Sequence, residues 1–207
     1  MSTDISRRGF LSRTSLYSGA TLLTLNCRFP LAAAAARNSD SPAVLDRVEW
    51  KTVEAITGRV IPSEDGPGAI EANCVNFIDK ALANEESESV DFLRDGISIL
   101  NGAVSTMHQA TFAEIPHEKQ DALLEGMSTD SVENWPSNGT PPSELFEYLR
   151  FLTIAGFLAE PMYGGNAGHI GWQLAGYPGP RHHGGGYTAE QMSGEQPVRP
   201  TWDQKKV

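Results

Sequence analysis

The sequence predicts an all-α fold: a small bundle of about five helices, followed by a long C-terminal extension rich in glycine and aromatic residues. Apolar residues recur at spacings of three and four in five segments, as they do on one face of a helix. No run of residues alternates apolar and polar side chains in the way of a half-buried strand. Apolar residues make up 40% of the 207 residues, which is enough to form a hydrophobic core.

The first two helices are predicted on either side of a turn-rich loop over residues 63–68. Ser41 is a suitable N-cap with Pro42 at the first helical position. The buried face of the first helix is then expected at Leu45, Val48, Thr52, Ile56 and Val60. The second helix is expected to pack through Ile70, Cys74, Phe77, Ile78 and Ala81, and it leads into the acidic connector 84–89.

Three more helices follow. The third is predicted over residues 90–112, with an apolar seam at Leu93, Ile97, Leu100, Val104 and Met107. The fourth is predicted from Ile115–Pro116 through Met127. The fifth opens at Pro141–Pro142, with a cap near Ser143 and Glu144.

The end of the fifth helix, residues 151–158, contains no charged residue. A helix that is apolar all round needs cover on every side. Two interpretations remain open: the segment is the central helix of the bundle, or part of it faces another subunit.

The N-terminal residues 1–36 resemble a bacterial twin-arginine (Tat) signal, because Arg7 and Arg8 are followed by Phe10, Leu11 and a mildly apolar run. The alanines at 32–36 offer a cleavage site. This export route carries folded proteins and is often used when a cofactor is inserted before export. The rest of the chain nevertheless has no dinucleotide, Walker A, haem-attachment or iron–sulfur motif. One explanation is that the signal serves a partner that carries the cofactor.

The charge of the chain limits its partners. Residues 1–36 hold four arginines and one aspartate, so 12 basic and 25 acidic residues remain after them, a net charge of −13. Such a surface repels phosphate, which argues against nucleic acid and anionic lipid as partners. It can dock a basic protein partner, or it simply keeps the chain soluble.

The bundle is expected to cover residues 37–160, and residues 161–207 are predicted to form a docking extension and tail. Nine of the 20 glycines lie between residues 161 and 187, interspersed with Tyr163, Trp172, Tyr177 and Tyr187. Ordering glycine-rich backbone costs entropy, so the large aromatic side chains indicate anchoring. Because Tyr and Trp are frequent interface hot spots, we favour docking of a partner over a purely internal brace.

Residues with reactive chemistry are few. His169, His182 and His183 are candidates for a metal site, but their spacing fits no helical pair and no acid lies among them, so surface or backbone-bonded histidines are favoured. Glu64 and Asp65 lie on a turn without a pocket that could shift their pKa. Cys74 is predicted to be a buried structural thiol, with an intermolecular disulfide as the alternative. No catalytic residue, cofactor-binding residue or metal ligand is predicted.

Two blocks of the sequence carry a family resemblance. Residues 59–69, with 71–72 and 77–82, resemble the opening block of the gluconate 2-dehydrogenase subunit 3 family. Residues 163–166, 171–172 and 176–180 resemble its C-terminal motif, and they add Asn166 and Pro178 to the predicted docking residues. The resemblance covers roughly residues 42–187, and the run of His and Gly at 182–186 departs from it.

The resemblance implies a small subunit of a three-part dehydrogenase that acts on a sugar or sugar acid. Its large partner would be a glucose–methanol–choline-type flavoprotein with FAD, and the third subunit a multihaem cytochrome c. The small subunit carries the Tat signal for the flavoprotein and supports its folding and export. This chain would then be periplasmic, without a cofactor of its own, and at the inner membrane only through the complex. The alternatives are a stand-alone periplasmic protein that binds a small ligand through its extension, and a metal-dependent enzyme around the three histidines.

Overall fold

In the computed structural model, which describes residues 42–64, 66–179, 187–193 and 195, five helices of ten or more residues form a bundle. They are α1 Arg47–Val60, α2 Cys74–Ala83, α3 Val90–His108, α4 His117–Ser128 and α5 Pro142–Leu158. Two shorter helices follow, α6 Ile170–Leu174 and α7 Ala189–Met192. No strand occurs among the described residues, and the predicted all-α fold is confirmed.

The start of α1 differs from the sequence-based prediction. The helix begins at Arg47, and its N-cap is Asp46, whose carboxylate accepts the N–H groups of Val48 and Glu49 at 2.7 and 2.8 Å. Glu49 in turn accepts the N–H of Asp46, which completes a capping box. The cap predicted at Ser41 lies outside the described residues, and Val48 is exposed rather than buried. The Asp-x-x-Glu spacing was the available signal.

The segment before α1 is held by a carboxylate on α2. Asp79, which is almost fully buried, accepts the N–H groups of Ala43, Val44 and Leu45 at 2.6, 3.0 and 2.8 Å. These backbone donors lie ahead of the helix and have no intrahelical acceptor. Asp79 therefore fixes the leading segment of the domain to α2.

The second and third helices are shorter than predicted. α2 starts at Cys74 because Asn73 adopts a left-handed conformation (φ +58°), and Ile70 lies in an exposed turn instead of on the helix. α3 ends at His108 because Gln109 also turns left-handed, and Phe112 belongs to a separate short 3-10 helix.

The caps of the last two long helices come from different sources. α4 begins after Pro116 and buries Leu124 and Met127. α5 begins at Pro142, as expected from the paired prolines, but its cap comes from the preceding loop. There Asp130 accepts both the N–H and the hydroxyl of Ser143, each at 2.9 Å.

Helix α5 occupies the centre of the bundle and contacts α1, α2, α3 and α4. Gly96 of α3 lies against Leu145 of α5 so closely that an added Cβ would lie 2.8 Å from the leucine methyl groups. The core around it consists of fully buried aliphatic and aromatic side chains, among them Ile56, Ile78, Leu93, Leu100, Phe112 and Leu149. None of the described helices is both long and apolar enough to cross a bilayer.

Replacing Asp79 by Asn is expected to lower the free energy of unfolding by about 2–3 kcal/mol, because one acceptor oxygen becomes a donor facing buried N–H groups. Urea denaturation followed by circular dichroism measures the effect. Glu85→Gln is the matched control: Glu85 is exposed in a turn, so the free energy of unfolding of this variant should stay within about 0.5 kcal/mol of the wild-type value. Equal midpoints for the two variants would contradict the role of Asp79.

Candidate functional site

The closing sequence block meets the chain at α2 and at the turn just before it. The side-chain amide of Asn76 on α2 donates to the carbonyl oxygen of Gly164 at 2.8 Å, and the N–H of Ala167 donates to the carbonyl oxygen of Ala72 at 3.0 Å. The start of the extension is therefore packed against the bundle.

Asn166 organises the turn of the closing block. It is fully buried in a left-handed conformation (φ +46°). Its amide nitrogen donates to the carbonyl oxygen of Ala159, and its side-chain oxygen accepts the N–H of Gly171, both at 2.8 Å. Asn166 thus joins the end of α5 to the start of α6.

Trp172 packs into the junction between α5 and α6. Its ring is buried, and the indole N–H donates to the carbonyl oxygen of Leu158 at 2.7 Å. The ring of Tyr177 meets it edge-on, with 5.2 Å between the ring centroids, and the ring of His169 lies tilted against it at 5.3 Å. A buried tryptophan with its N–H satisfied is a structural anchor.

Two glycines allow the extension to approach α5 this closely. A Cβ at Gly165 would overlap the carbonyl oxygen of Gly156, and one at Gly171 would overlap that of Phe157. No L-residue with a side chain fits either position without moving backbone.

The predicted docking residues differ in their exposure. Asn166 and Trp172 are buried within the chain and act as braces. Pro178 is partly buried. The exposed members are Tyr163, Tyr177 and Tyr187. Composition and the family resemblance identified these residues but did not separate those directed inward from those directed outward.

An exposed apolar surface on α5 lies outside the residues predicted for the site. Phe151, Ile154 and Leu158 of α5 are exposed, although the rest of that helix is the centre of the core. The first interpretation is confirmed, because α5 is the central helix of the bundle. The second, that part of the segment faces another subunit, stays a prediction.

The opening block forms a tight loop after α1. Glu71 accepts the hydroxyl of Ser63 at 2.7 Å and the N–H of Gly68 at 2.8 Å. These hydrogen bonds, the Ser63 hydroxyl first, lower the pKa of Glu71. Arg59 binds both carboxylate oxygens of Asp121 at 2.6 and 2.7 Å, which raises the pKa of Arg59 and ties α1 to α4.

A groove of about 590 Å³ opens between α1, this loop and the start of α4. Charged side chains of both signs line it, including Lys51, Glu54, Arg59, Glu64 and Glu114, and His117 lies among them. Hydrogen bonds from Thr111 lower the pKa of Glu114, so it remains a carboxylate and a weak general base. The groove does not lie in the extension, where the ligand-binding alternative placed its site.

Cys74 is fully buried beside Ala69, Ala72 and Phe157, and burial raises the pKa of its thiol to about 12. The prediction that this thiol is buried is confirmed, and its burial disfavours the alternative of an intermolecular disulfide.

Several predicted positions fall outside the part of the chain that the structure describes. They are Arg7, Arg8, Phe10, Leu11, Asp65, His182 and His183. The described residues contain no group of three or more side chains placed to hold a metal ion.

Comparison with known proteins gives one match. A family model described as gluconate 2-dehydrogenase subunit 3 matches residues 47–179, from the start of α1 to the end of the Trp172–Tyr177 brace. Neither the curated proteins nor the solved structures contain a significant match to the chain.

Gly171→Ala is expected to destabilise the domain by about 1–3 kcal/mol, because the new methyl group must displace the carbonyl of Phe157 or the start of α6. Gly102→Ala is the matched control, since a Cβ there, inside α3, meets nothing within 4 Å. It should stabilise the helix by about 0.5–1 kcal/mol. Thermal melts of the two variants check the difference, and a Gly171→Ala variant as stable as wild type would contradict the close approach.

Cys74 is expected to resist alkylation in the folded protein. At pH 8 an ordinary thiol is roughly one quarter thiolate, whereas a thiol of pKa about 12 is roughly one part in ten thousand. In a Cys27→Ser background, iodoacetamide should modify the native chain at least about a hundredfold more slowly than the chain in concentrated urea. Mass spectrometry follows the reaction, and equal rates would show that Cys74 is accessible.

Proposed function

The chain belongs to the gluconate 2-dehydrogenase subunit 3 family, and we propose that it is the non-catalytic small subunit of a periplasmic, FAD-dependent sugar or sugar-acid dehydrogenase. In this proposal it binds a glucose–methanol–choline-type flavoprotein, supports its folding, and carries it through the Tat pathway on the leader 1–36. A multihaem cytochrome c completes the complex and links it to the inner membrane. FAD and haem belong to the partners.

The observation that carries the proposal is the pairing of this family with a twin-arginine leader. The family model covers 47–179, the whole helical bundle and its brace. Arg7 and Arg8 precede a chain whose sequence contains no cofactor motif. The Tat pathway exports folded proteins that already hold their cofactor. The presence of its leader on a chain without a cofactor motif is explained if a bound flavoprotein is exported with the chain.

The residues of the junction support a binding role. Asn166 and Trp172 use their polar atoms on the chain's own backbone. Among the described residues of the extension, Tyr163, Tyr177 and Tyr187 are exposed aromatic side chains. Tyrosine side chains supply large contact area at low entropic cost. We therefore assign docking to the three tyrosines and bracing to the buried pair.

The alternative function is a stand-alone protein that binds a small ligand. The groove beside α1 is the observation that supports it. Thermal melts of the purified chain with candidate sugars and sugar acids separate the two functions. A saturable shift in melting temperature would support the binding protein, and unchanged melts together with a copurifying flavoprotein would support the subunit.

Changing Arg7 and Arg8 together to lysine should leave both this chain and the flavoprotein in the cytoplasm, because the export pathway reads the arginine pair. Fractionation, with flavin absorbance and dye-linked dehydrogenase activity in each compartment, measures the outcome. Arg13→Lys is the control: it makes the same change outside the pair and should not affect export. Unchanged export of active flavoprotein by the double variant would refute the carrier role.

A further inference from the structure

Gln120 brings a buried polar atom to the groove beside α1. The residue lines the groove and is 3% exposed. Its amide nitrogen donates to the carbonyl oxygen of Phe112 at 2.9 Å, which fixes the orientation of the amide, because a carbonyl oxygen cannot donate to the amide oxygen. Within the described part of the chain, no N–H or O–H group donates to that oxygen, Oε1. A buried acceptor without a donor is rare in folded proteins, and a molecule in the groove can supply one.

Glu54 brings a partly buried carboxylate to the same groove. Among the residues that the structure describes, no donor and no cation binds this carboxylate. Of the two basic side chains in the lining, Arg59 is paired with Asp121, and Lys51 is exposed and acts on the charge of Glu114. The carboxylate of Glu54 therefore lacks a counter-charge within the described chain.

Apolar side chains form another part of the groove. Ile70 is 52% exposed, and it lies against α1 at Gly58, where an added Cβ would lie 2.8 Å from the Cδ1 atom of the isoleucine. Ala55 also lines the groove. A ligand in the groove therefore meets an aliphatic surface as well as the two acceptors, a combination that is typical of small-molecule sites.

We propose that the groove binds a small organic cation, whose guanidinium or ammonium group donates hydrogen bonds to Glu54 and to Oε1 of Gln120 while its aliphatic part covers Ile70. Guanidinium and ammonium groups carry donors and no acceptor, which matches the two acceptors that lack a partner. The groove volume of about 590 Å³ lies within the range of small-molecule sites, about 300–1,000 Å³. This inference goes beyond the proposed function and does not rest on it.

Other classes of ligand fit this lining less well. An organic anion would approach the carboxylates of Glu54, Glu64 and Glu114, which repel it, while Arg59 is already occupied by Asp121. A metal ion needs several protein ligands at one point, and the described ranges of the chain hold no group of three or more that could bind it. A cation with its own hydrogen-bond donors is the class that the groove favours.

Titration of the purified chain with n-butylguanidinium chloride tests the proposal. The amide chemical shifts of α1 and of the start of α4 should move saturably. n-Butylurea has nearly the same shape and also donates hydrogen bonds, but it carries no charge, so it should bind at least about tenfold more weakly. Butyrate, an anion of similar length, should cause no saturable change.

Two variants locate the site. Glu54→Gln removes the charge and should weaken binding of n-butylguanidinium at least about tenfold, while the melting temperature stays the same because no residue depends on that carboxylate. Gln120→Leu removes Oε1 and should weaken binding in the same direction. Because it also removes the hydrogen bond to Phe112, Glu54→Gln decides the test if this second variant does not fold. Glu118→Gln is the matched control: Glu118 is exposed on α4 outside the groove lining, so this variant should bind like wild type.

Three results would overturn the proposal: no saturable binding of n-butylguanidinium, equal binding of n-butylurea, or equal binding by Glu54→Gln and wild type. A basic side chain of the flavoprotein is the other source of the same chemistry, and copurification with the Glu54→Gln chain distinguishes the two. Retention of the flavoprotein agrees with a free small molecule, whereas its loss would assign the groove to the partner and overturn the free ligand. The titration uses the chain alone, so failure of the proposed function would leave its result unchanged.

Discussion

The carboxylate of Asp79 accepts the N–H groups of three successive residues, 43–45, and thereby fixes the chain just before its first helix. The donors lie outside any helix, and N–H groups withdrawn from water without a partner are costly. Asp79, on the neighbouring helix α2, accepts all three and removes that cost. Since α1 starts immediately afterwards at its Asp46 cap, this contact also sets where α1 lies on the bundle. The presence of an acid within the opening sequence block thus has a structural reason.

The closing block applies a second constraint at the same helix. Asn76 and Ala72 of the α2 region bind the backbone of residues 164 and 167, while Gly165 and Gly171 let the extension approach the end of α5. The two blocks that resemble the family are therefore the two sides of one junction. Residues of both blocks help to build this junction.

The sequence predicted the helices well where apolar spacing was the only signal, as along the Leu93–Leu100 seam of α3. It misplaced helix starts where a specific hydrogen bond or backbone conformation decided. The Asp46–Glu49 capping box was readable from spacing, whereas nothing in the apolar spacing marked the left-handed backbone at Asn73 where α2 begins. Composition also identified the aromatic extension as anchored, but the inward direction of Trp172 depends on the carbonyl of Leu158, which only the folded chain brings near.

Helix α5 is the central helix of the bundle, and one of its sides is nevertheless exposed. A helix inside a small bundle must be apolar on most sides, but a five-helix bundle does not have enough neighbours to cover the whole of its last turns. In the first half of α5 the exposed positions carry charged side chains, at Glu144 and Glu147. In the second half the exposed positions Ile154 and Leu158 are apolar. The buried side of α5 fixes the helix in the core, and the hydrogen bond from Trp172 to the carbonyl of Leu158 holds the closing block against its last turn.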